Sequence, residues 1–155
     1  MLFKSLFGDS FDCSDFSISG ISIDSRKVNA GDIFIAKMGE TDDGHNYAEQ
    51  AIKNGAIAVL SERPLALKVP NFVDPNLVPK ISKWADRYFR SPSSRLRCIG
   101  VTGTNGKTSI AYFCSYLIKK CGFIGSIGWG VPGNLESNPL TTPDAISVQS
   151  YLADI

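Results

Sequence analysis

Short runs of apolar residues alternate along the chain with segments whose apolar positions recur at helical spacing. Residues 33–36 and 56–60 form two such runs, each typical of a buried strand. Between them, the pattern predicts a helix that begins at Asp43-Gly44 and stops at Gly55. Strand, helix and strand in this order are typical of a parallel sheet with crossover helices. The pattern therefore predicts an α/β fold.

A Pro/Ser-rich segment at residues 91–95 separates two differently organised halves. A helix with apolar residues at 78, 81, 85 and 88 closes the first domain, placed at residues 1–90, and Trp84 flanks that stripe as a core residue. The second domain, residues 96–155, begins with a predicted buried strand at 96–101, a helix at 107–121 and a strand at 123–127. A turn follows at 131–134, and the last apolar pattern is helical.

The second half is too short to surround its first strand with a complete parallel sheet. We therefore expect an N-terminal piece of a longer protein.

A glycine-rich loop joins the predicted strand at 96–101 to the next helix. Its glycines let backbone N–H groups approach phosphate oxygens, and the helix N-terminus adds partial positive charge. Lys107 can place an ammonium between the terminal phosphates, and the Thr108 hydroxyl can ligate Mg²⁺. The loop predicts binding of ATP or GTP with Mg²⁺, through Gly103, Thr104, Asn105, Gly106, Lys107, Thr108 and Ser109.

This loop, directly after Val101-Thr102, resembles the ATP loop of the Mur ligases and of folylpolyglutamate synthase. Residues 23–36, followed by Asp43-Gly44-His45, resemble the UDP-binding domain that the MurE and MurF ligases share. The resemblance implies a nucleotide-sugar domain followed by the start of a P-loop parallel-sheet ATPase domain. It also implies that Ile23 and Ser25 contact the nucleotide substrate, with Ser25 at the uracil end, and that Lys107 is catalytic.

Thr141 and Thr142 precede the last predicted helix, where Thr142 is suited to be the N-cap and Pro143 the first helical residue. Paired threonines here resemble MurE, in which they meet the acyl-peptide end of the substrate. Leu140 departs from the asparagine common there. Three hypotheses remain open: a MurE-type ligase that adds a diamino acid to UDP-MurNAc-L-Ala-D-Glu, a MurF-type ligase that adds D-Ala-D-Ala, and a non-catalytic nucleotide-binding module.

Composition and charge argue against some classes of binding partner. A net charge of +1 without a dense basic block argues against nucleic-acid and membrane partners. No C-x-x-C pair occurs, and we expect Cys98 and Cys114 to be small buried hydrophobes. His45 is the sole histidine, so we expect it to cap or order its loop. We expect the protein to be a cytoplasmic monomer that binds ATP, Mg²⁺, UDP-MurNAc-dipeptide and an amino acid. We also expect that these 155 residues do not join the substrates on their own.

Overall fold

The computed structural model describes residues 1–8, 11–39, 42–137 and 142–155. They form two compact units, Met1–Tyr88 and Phe89–Ile155. The first unit contains α1 (Phe3–Phe7), β1 (Gly20–Ser22), β2 (Asp32–Ala36), α2 (Ala48–Lys53), β3 (Ala58–Ser61), β4 (Asn71–Val73) and α3 (Ile81–Tyr88). The second contains α4 (Lys107–Leu117), β5 (Phe123–Gly125), β6 (Gly128–Val131), β7 (Asn134–Glu136) and α5 (Ala145–Asp154). Short 3₁₀ helices lie at Ser25–Lys27, Gly44–Tyr47, Val78–Lys80 and Pro92–Arg95.

The four strands of the first unit form a parallel sheet in the order β1-β2-β3-β4. Ile33 of β2 pairs with Ile21 on one side and with Ala58 on the other. All residues of β2 and β3 are buried, as expected for strands that contain the apolar runs 33–36 and 58–60. The predicted α/β class and parallel sheet are confirmed. The sequence pattern missed β1 and β4, because each has only three residues and includes a glycine, serine or asparagine.

Aromatic side chains fill one part of the first core. The Phe3 ring of α1 lies 4.8 Å from Phe16 and 4.6 Å from Phe72, measured between ring centroids. Trp84 of α3 packs edge-on against Phe7 at 5.1 Å. Trp84 is therefore a core residue as predicted. The exposed Val78 lies in a 3₁₀ helix, so the buried stripe of α3 begins at Ile81.

The second unit has an antiparallel sheet in the order β5-β6-β7. Residues 132–133 form the turn between β6 and β7, where a turn was predicted. The indole of Trp129 stacks on the ring of Tyr151 in α5, with centroids 4.2 Å apart. The segment predicted as a linker contains the 3₁₀ helix Pro92–Arg95, in which Pro92 is buried and which contacts α5.

The strand predicted at residues 96–101 is wrong, because these residues adopt no regular structure and Ile99 is 69% exposed. An apolar run becomes a buried strand only when neighbouring strands bond to its backbone, and the described part of this unit places none beside it.

The helix that follows begins at Lys107 as predicted but ends at Leu117, before Gly122. Its predicted apolar face is exposed, with Phe113 64% and Leu117 84% accessible. Cys98 is exposed and Cys114 half-buried, so the prediction that both are buried is also wrong. Across the described residues, no helix has the length and apolar character that crossing a membrane requires.

Candidate functional site

The glycine-rich loop presents the start of α4 to solvent. Gly106 adopts φ 76° and is the N-cap of α4, a left-handed conformation that favours glycine. No side chain caps this helix start, so its first N–H groups remain available to an anion. A side chain at Gly106 would meet nothing nearer than 3.9 Å, so backbone conformation rather than crowding demands the glycine.

The Lys107 ammonium lies over this loop. Its Nζ donates to the carbonyl oxygen of Gly103 at 2.6 Å and to that of Thr104 at 3.4 Å. Residues 102–107 are all exposed. The loop therefore holds an exposed cation beside an uncapped helix start, which is the combination that a polyphosphate requires.

Thr108 is the hydroxyl residue in the first turn of α4. Its Oγ1 lies 2.9 Å from Ser126 Oγ, in the turn between β5 and β6. Two hydroxyl oxygens beside a phosphate loop fit a Mg²⁺ ion, a hard cation that takes oxygen ligands and keeps several waters. Within the described ranges, no group of three His, Cys, Asp or Glu side chains is placed to hold a metal. The fit to Mg²⁺ therefore rests on the hydroxyl of Thr108, with Ser126 beside it.

The predicted cap of the last helix is wrong. Asp144, not Thr142, caps α5, since its carboxylate accepts the N–H groups of Ile146 and Ser147 at 2.9 and 3.0 Å. An ionised carboxylate accepts two helix donors more strongly than a hydroxyl can. Thr142 is exposed, two residues before the cap. Thr141 and Leu140 lie outside the described residues.

Ser25 lies just beyond the carboxyl end of β1. It is buried, its hydroxyl donates to Gln50 Oε1 at 3.4 Å, and its carbonyl oxygen accepts from Asn54 Nδ2 at 2.8 Å. The half-buried Ile23 precedes it. The structure thus anchors Ser25 to α2 through Gln50 and Asn54.

Asp24 and Arg26 form the local ion pair on either side of Ser25. Arg26 donates through Nε and Nη2 to the two carboxylate oxygens at 2.9 and 2.8 Å. These hydrogen bonds hold the pKa of Asp24 below its usual value, against a smaller opposing effect of burial, and raise the pKa of Arg26. Because Arg26 is largely exposed, the pair fixes a guanidinium at the surface more than it stabilises the fold.

Asp43-Gly44-His45 lies beyond the carboxyl end of β2. Asp43 caps the 3₁₀ helix by accepting the backbone N–H of His45 at 3.0 Å, as expected for a helix entrance. A side chain at Gly44 would lie 2.6 Å from the carbonyl oxygen of Lys37, so only glycine allows this close approach. The hydrogen bond from the His45 ring is the main cause that lowers the pKa of Asp43.

The segments that carry these residues meet at one edge of the sheet, because every strand is parallel. Ser25 follows β1, Asp43 follows β2 and Arg63 follows β3. Open α/β sheets bind ligands at this carboxyl edge. Near it, the Tyr47 hydroxyl donates to Asp42 Oδ2 at 3.1 Å, and this bond is the main cause that raises the pKa of Tyr47.

Sequence reasoning missed residues that tertiary contacts bring to these sites. Ser126 reaches Thr108, and Arg63 Nη2 donates to Asp43 Oδ2 at 2.6 Å. Gln50 and Glu62 contact Ser25 and His45 through pairs separated by 25 and 17 residues. No local pattern signals such pairs.

Two family models match the chain. One, described as "Mur ligase family, catalytic domain", matches residues 17–93, and the other, "Mur ligase middle domain", matches residues 101–155. Among curated proteins, the UDP-N-acetylmuramoyl-L-alanyl-D-glutamate–2,6-diaminopimelate ligases of Pseudomonas putida and Halalkalibacterium halodurans are 40% and 39% identical over 89% of this chain. The chain spans 30% and 29% of the length of those relatives.

Solved structures give the same result. The structure of a UDP-N-acetylmuramoyl-L-alanyl-D-glutamate–2,6-diaminopimelate ligase has a TM-score of 0.79 and 34% identity, covering 99% of this chain and 33% of that one. A MurF ligase from Thermotoga maritima in complex with ADP has a TM-score of 0.50 and 28% identity, covering 75% of this chain and 26% of that one. Both diaminopimelate and MurF ligases are therefore similar to this chain, the former over more of its length.

Proposed function

The chain belongs to the Mur ligase family, and from this membership we propose that it is part of an ATP-dependent MurE-type ligase. The reaction proposed is the joining of 2,6-diaminopimelate to UDP-N-acetylmuramoyl-L-alanyl-D-glutamate, as the names of its relatives describe. The observation that carries this proposal is the loop before α4, where Lys107 lies over the carbonyls of Gly103 and Thr104 beside an uncapped helix start.

The two units take separate parts of the substrate set in this proposal. Residues 1–90 bind the nucleotide sugar, with Ser25 at the uracil end and Ile23 beside it. Residues 91–95 are the linker, and residues 96–155 begin the ATP-binding domain. The carboxyl edge of the parallel sheet, where Ser25 lies, supports the first assignment. The relative solved with ADP supports the second.

Loop residues 103–109 hold the phosphates of ATP in this scheme, and Thr108 holds Mg²⁺. Bound there, Mg²⁺ would neutralise phosphate charge during transfer to the substrate carboxylate. Lys107 stabilises the same developing charge, since its ammonium is exposed and adjacent to the helix start. The amine of the amino acid then displaces phosphate from the acyl phosphate, forming the amide. Thr141 and Thr142 are proposed contacts to the acyl-peptide end.

The protein is proposed to act as a cytoplasmic monomer without a nucleic-acid or membrane partner. Four free cysteines, of which Cys98 is exposed, suit a reducing compartment. The substrates are soluble nucleotides, and the chain as a whole carries a net charge of +1.

Binding measurements on the 155-residue chain test the proposal. Calorimetric titration should show separate sites for Mg·ADP and for UDP-N-acetylmuramoyl-L-alanyl-D-glutamate, with Lys107→Ala weakening only the first. Preference for the nucleotide tripeptide over the dipeptide would favour a MurF-type ligase instead. A hybrid in which residues 1–155 replace the matching part of the Pseudomonas putida relative should form the diaminopimelate product. A hybrid that binds both nucleotides but forms no product would favour a non-catalytic module.

A further inference from the structure

The imidazole of His45 is buried and engaged at both nitrogens. Its exposed fraction is 6%, Nδ1 lies 2.5 Å from Asp43 Oδ1, and the backbone N–H of Glu62 donates to Nε2 at 3.3 Å. A backbone N–H can only donate, so Nε2 is the unprotonated acceptor. The proton of the neutral ring therefore resides on Nδ1 and is donated to Asp43.

These bonds join the loop after β2 to the segment after β3. We call this loop, residues 37–39 and 42–43, the β2 loop. Besides its bond to His45, Glu62 accepts the backbone N–H of Met38 through Oε2 at 2.5 Å. Arg63 Nη2 donates to Asp43 Oδ2 at 2.6 Å. His45, Glu62 and Arg63 thus hold the β2 loop at both of its ends.

The backbone supports the same arrangement. Gly44 N–H donates to the carbonyl oxygen of Lys37 at 3.0 Å, and Met38 pairs with Asp43 as an isolated antiparallel bridge. Backbone bonds therefore join the two described sides of the β2 loop, and their position relative to β3 depends on Glu62 and Arg63. Asp42, at the end of this turn, directs its carboxylate to the Tyr47 hydroxyl at the carboxyl edge.

We propose that His45 is a positioning residue for the uridine nucleotide, fixing the β2 loop against the end of β3 so that the carboxyl edge is preformed for the ligand. This inference rests on the proposed function, because that function places the nucleotide sugar at this edge. His45 does not touch the ligand itself: its ring is enclosed, and both nitrogens are used within the protein.

Two substitutions separate the two bonds of the ring. An asparagine places a donor near the position of Nδ1, so His45→Asn keeps the bond to Asp43 and loses the bond to Glu62. A glutamine places an acceptor near the position of Nε2, so His45→Gln keeps the bond to Glu62. Asp43 retains Arg63 and the backbone N–H at position 45 in both variants. Only the asparagine variant removes the bond from the ring to the segment after β3, while the Met38–Glu62 and Asp43–Arg63 bonds remain in both variants.

Titration of the 155-residue chain with UDP tests the proposal. We expect His45→Asn to weaken UDP binding on the order of tenfold, the effect of one lost hydrogen bond with a stranded donor, and His45→Gln to stay within about threefold. Asp15→Ala is the matched control: it removes the acceptor of the backbone N–H groups of Lys4 and Phe16 on the amino-terminal side of β1, lowering stability without altering UDP affinity. Melting temperatures of the variants and the affinity for Mg·ADP are measured in parallel.

The outcomes distinguish the two proposals. Nitrogen-15 spectra of the wild-type chain should show an unprotonated Nε2 that accepts a hydrogen bond; a protonated Nε2 would overturn the positioning role. Unchanged UDP affinity in His45→Asn would overturn the inference and leave the proposed function standing. A wild-type chain that binds Mg·ADP but not UDP overturns the proposed nucleotide-sugar site, and the inference with it.

Discussion

The two units differ in whether their apolar segments are buried. In the first unit, the apolar run at residues 33–36 lies in β2, between two paired strands, and Phe34 is 1% exposed. In the second, the apolar run at 96–101 is unpaired, and the apolar face of α4 is in solvent. Both runs are predicted as strands from their apolar residues, but only the first is buried. An apolar pattern indicates which residues a segment could bury, whereas the segments that pack beside it determine whether those residues are buried.

The largest expected effect is a difference in stability loss between alanine substitutions of one phenylalanine in each unit. Phe34→Ala should destabilise the first unit by about 3–5 kcal/mol, because it leaves a cavity in a closed core. Phe113→Ala, on the exposed face of α4, should change stability by no more than about 0.5 kcal/mol. Chemical denaturation of the 155-residue chain measures both.

The chain offers a separate reporter for each unit. Trp84 packs on Phe7 in the first and Trp129 on Tyr151 in the second. Trp129→Phe leaves Trp84 as the fluorophore for the first unit, and Trp84→Phe leaves Trp129 for the second. Equal losses for Phe34→Ala and Phe113→Ala would contradict the contrast between a closed core and an open face.

The next largest effect is a loss of activity that distinguishes the phosphate loop from the nucleotide-sugar site. In an active ligase that contains this chain, Lys107→Ala should cost about 2–4 kcal/mol of transition-state stabilisation, since it removes a charge-assisted contact to phosphate. Steady-state kcat/KM measures this loss, and UDP affinity should remain at the wild-type level because Lys107 lies in the other unit. Activity within threefold of wild type would show that the loop is not the phosphate site.

A smaller effect is expected at the start of α5. Asp144→Ala removes the acceptor of two helix N–H groups and should destabilise the second unit by about 1 kcal/mol. Thr142→Ala is the control, since Thr142 is exposed and does not cap the helix. Trp129 fluorescence during denaturation reports the difference; equal losses in the two variants would mean that Thr142 shares the capping role.

The smallest effect is a pH dependence confined to the first unit. Since the pKa of Asp24 is lowered on folding, the ionised form favours the native state above about pH 4. This contribution should be lost as the pH falls through the lower folded value. The melting temperatures of wild type and Asp24→Asn should therefore differ slightly at pH 6 and converge at the acidic end. A difference in melting temperature that grows as the pH falls would contradict the predicted sign of this pH dependence.

Much of the fold and part of the candidate site could be predicted locally. The strands β2 and β3 follow from continuous apolar runs, and the loop before α4 follows from Gly106 and Lys107. The short strands β1 and β4 could not be predicted, because their pairing partners rather than their composition make them strands. Site contacts such as Thr108 to Ser126 also required the folded chain.

The sequence by itself determined the conformations that depend on a few adjacent residues: the left-handed Gly106 that starts α4, the Asp43 cap of the 3₁₀ helix Gly44–Tyr47, and the Asp24–Arg26 pair. Only the tertiary structure decided which apolar segments are buried and what His45 contacts. The physical reason is the distance along the chain over which each interaction acts. Backbone sterics and neighbouring side chains act within a few residues, whereas a strand's hydrogen bonds and a buried ring's partners come from segments distant in the chain.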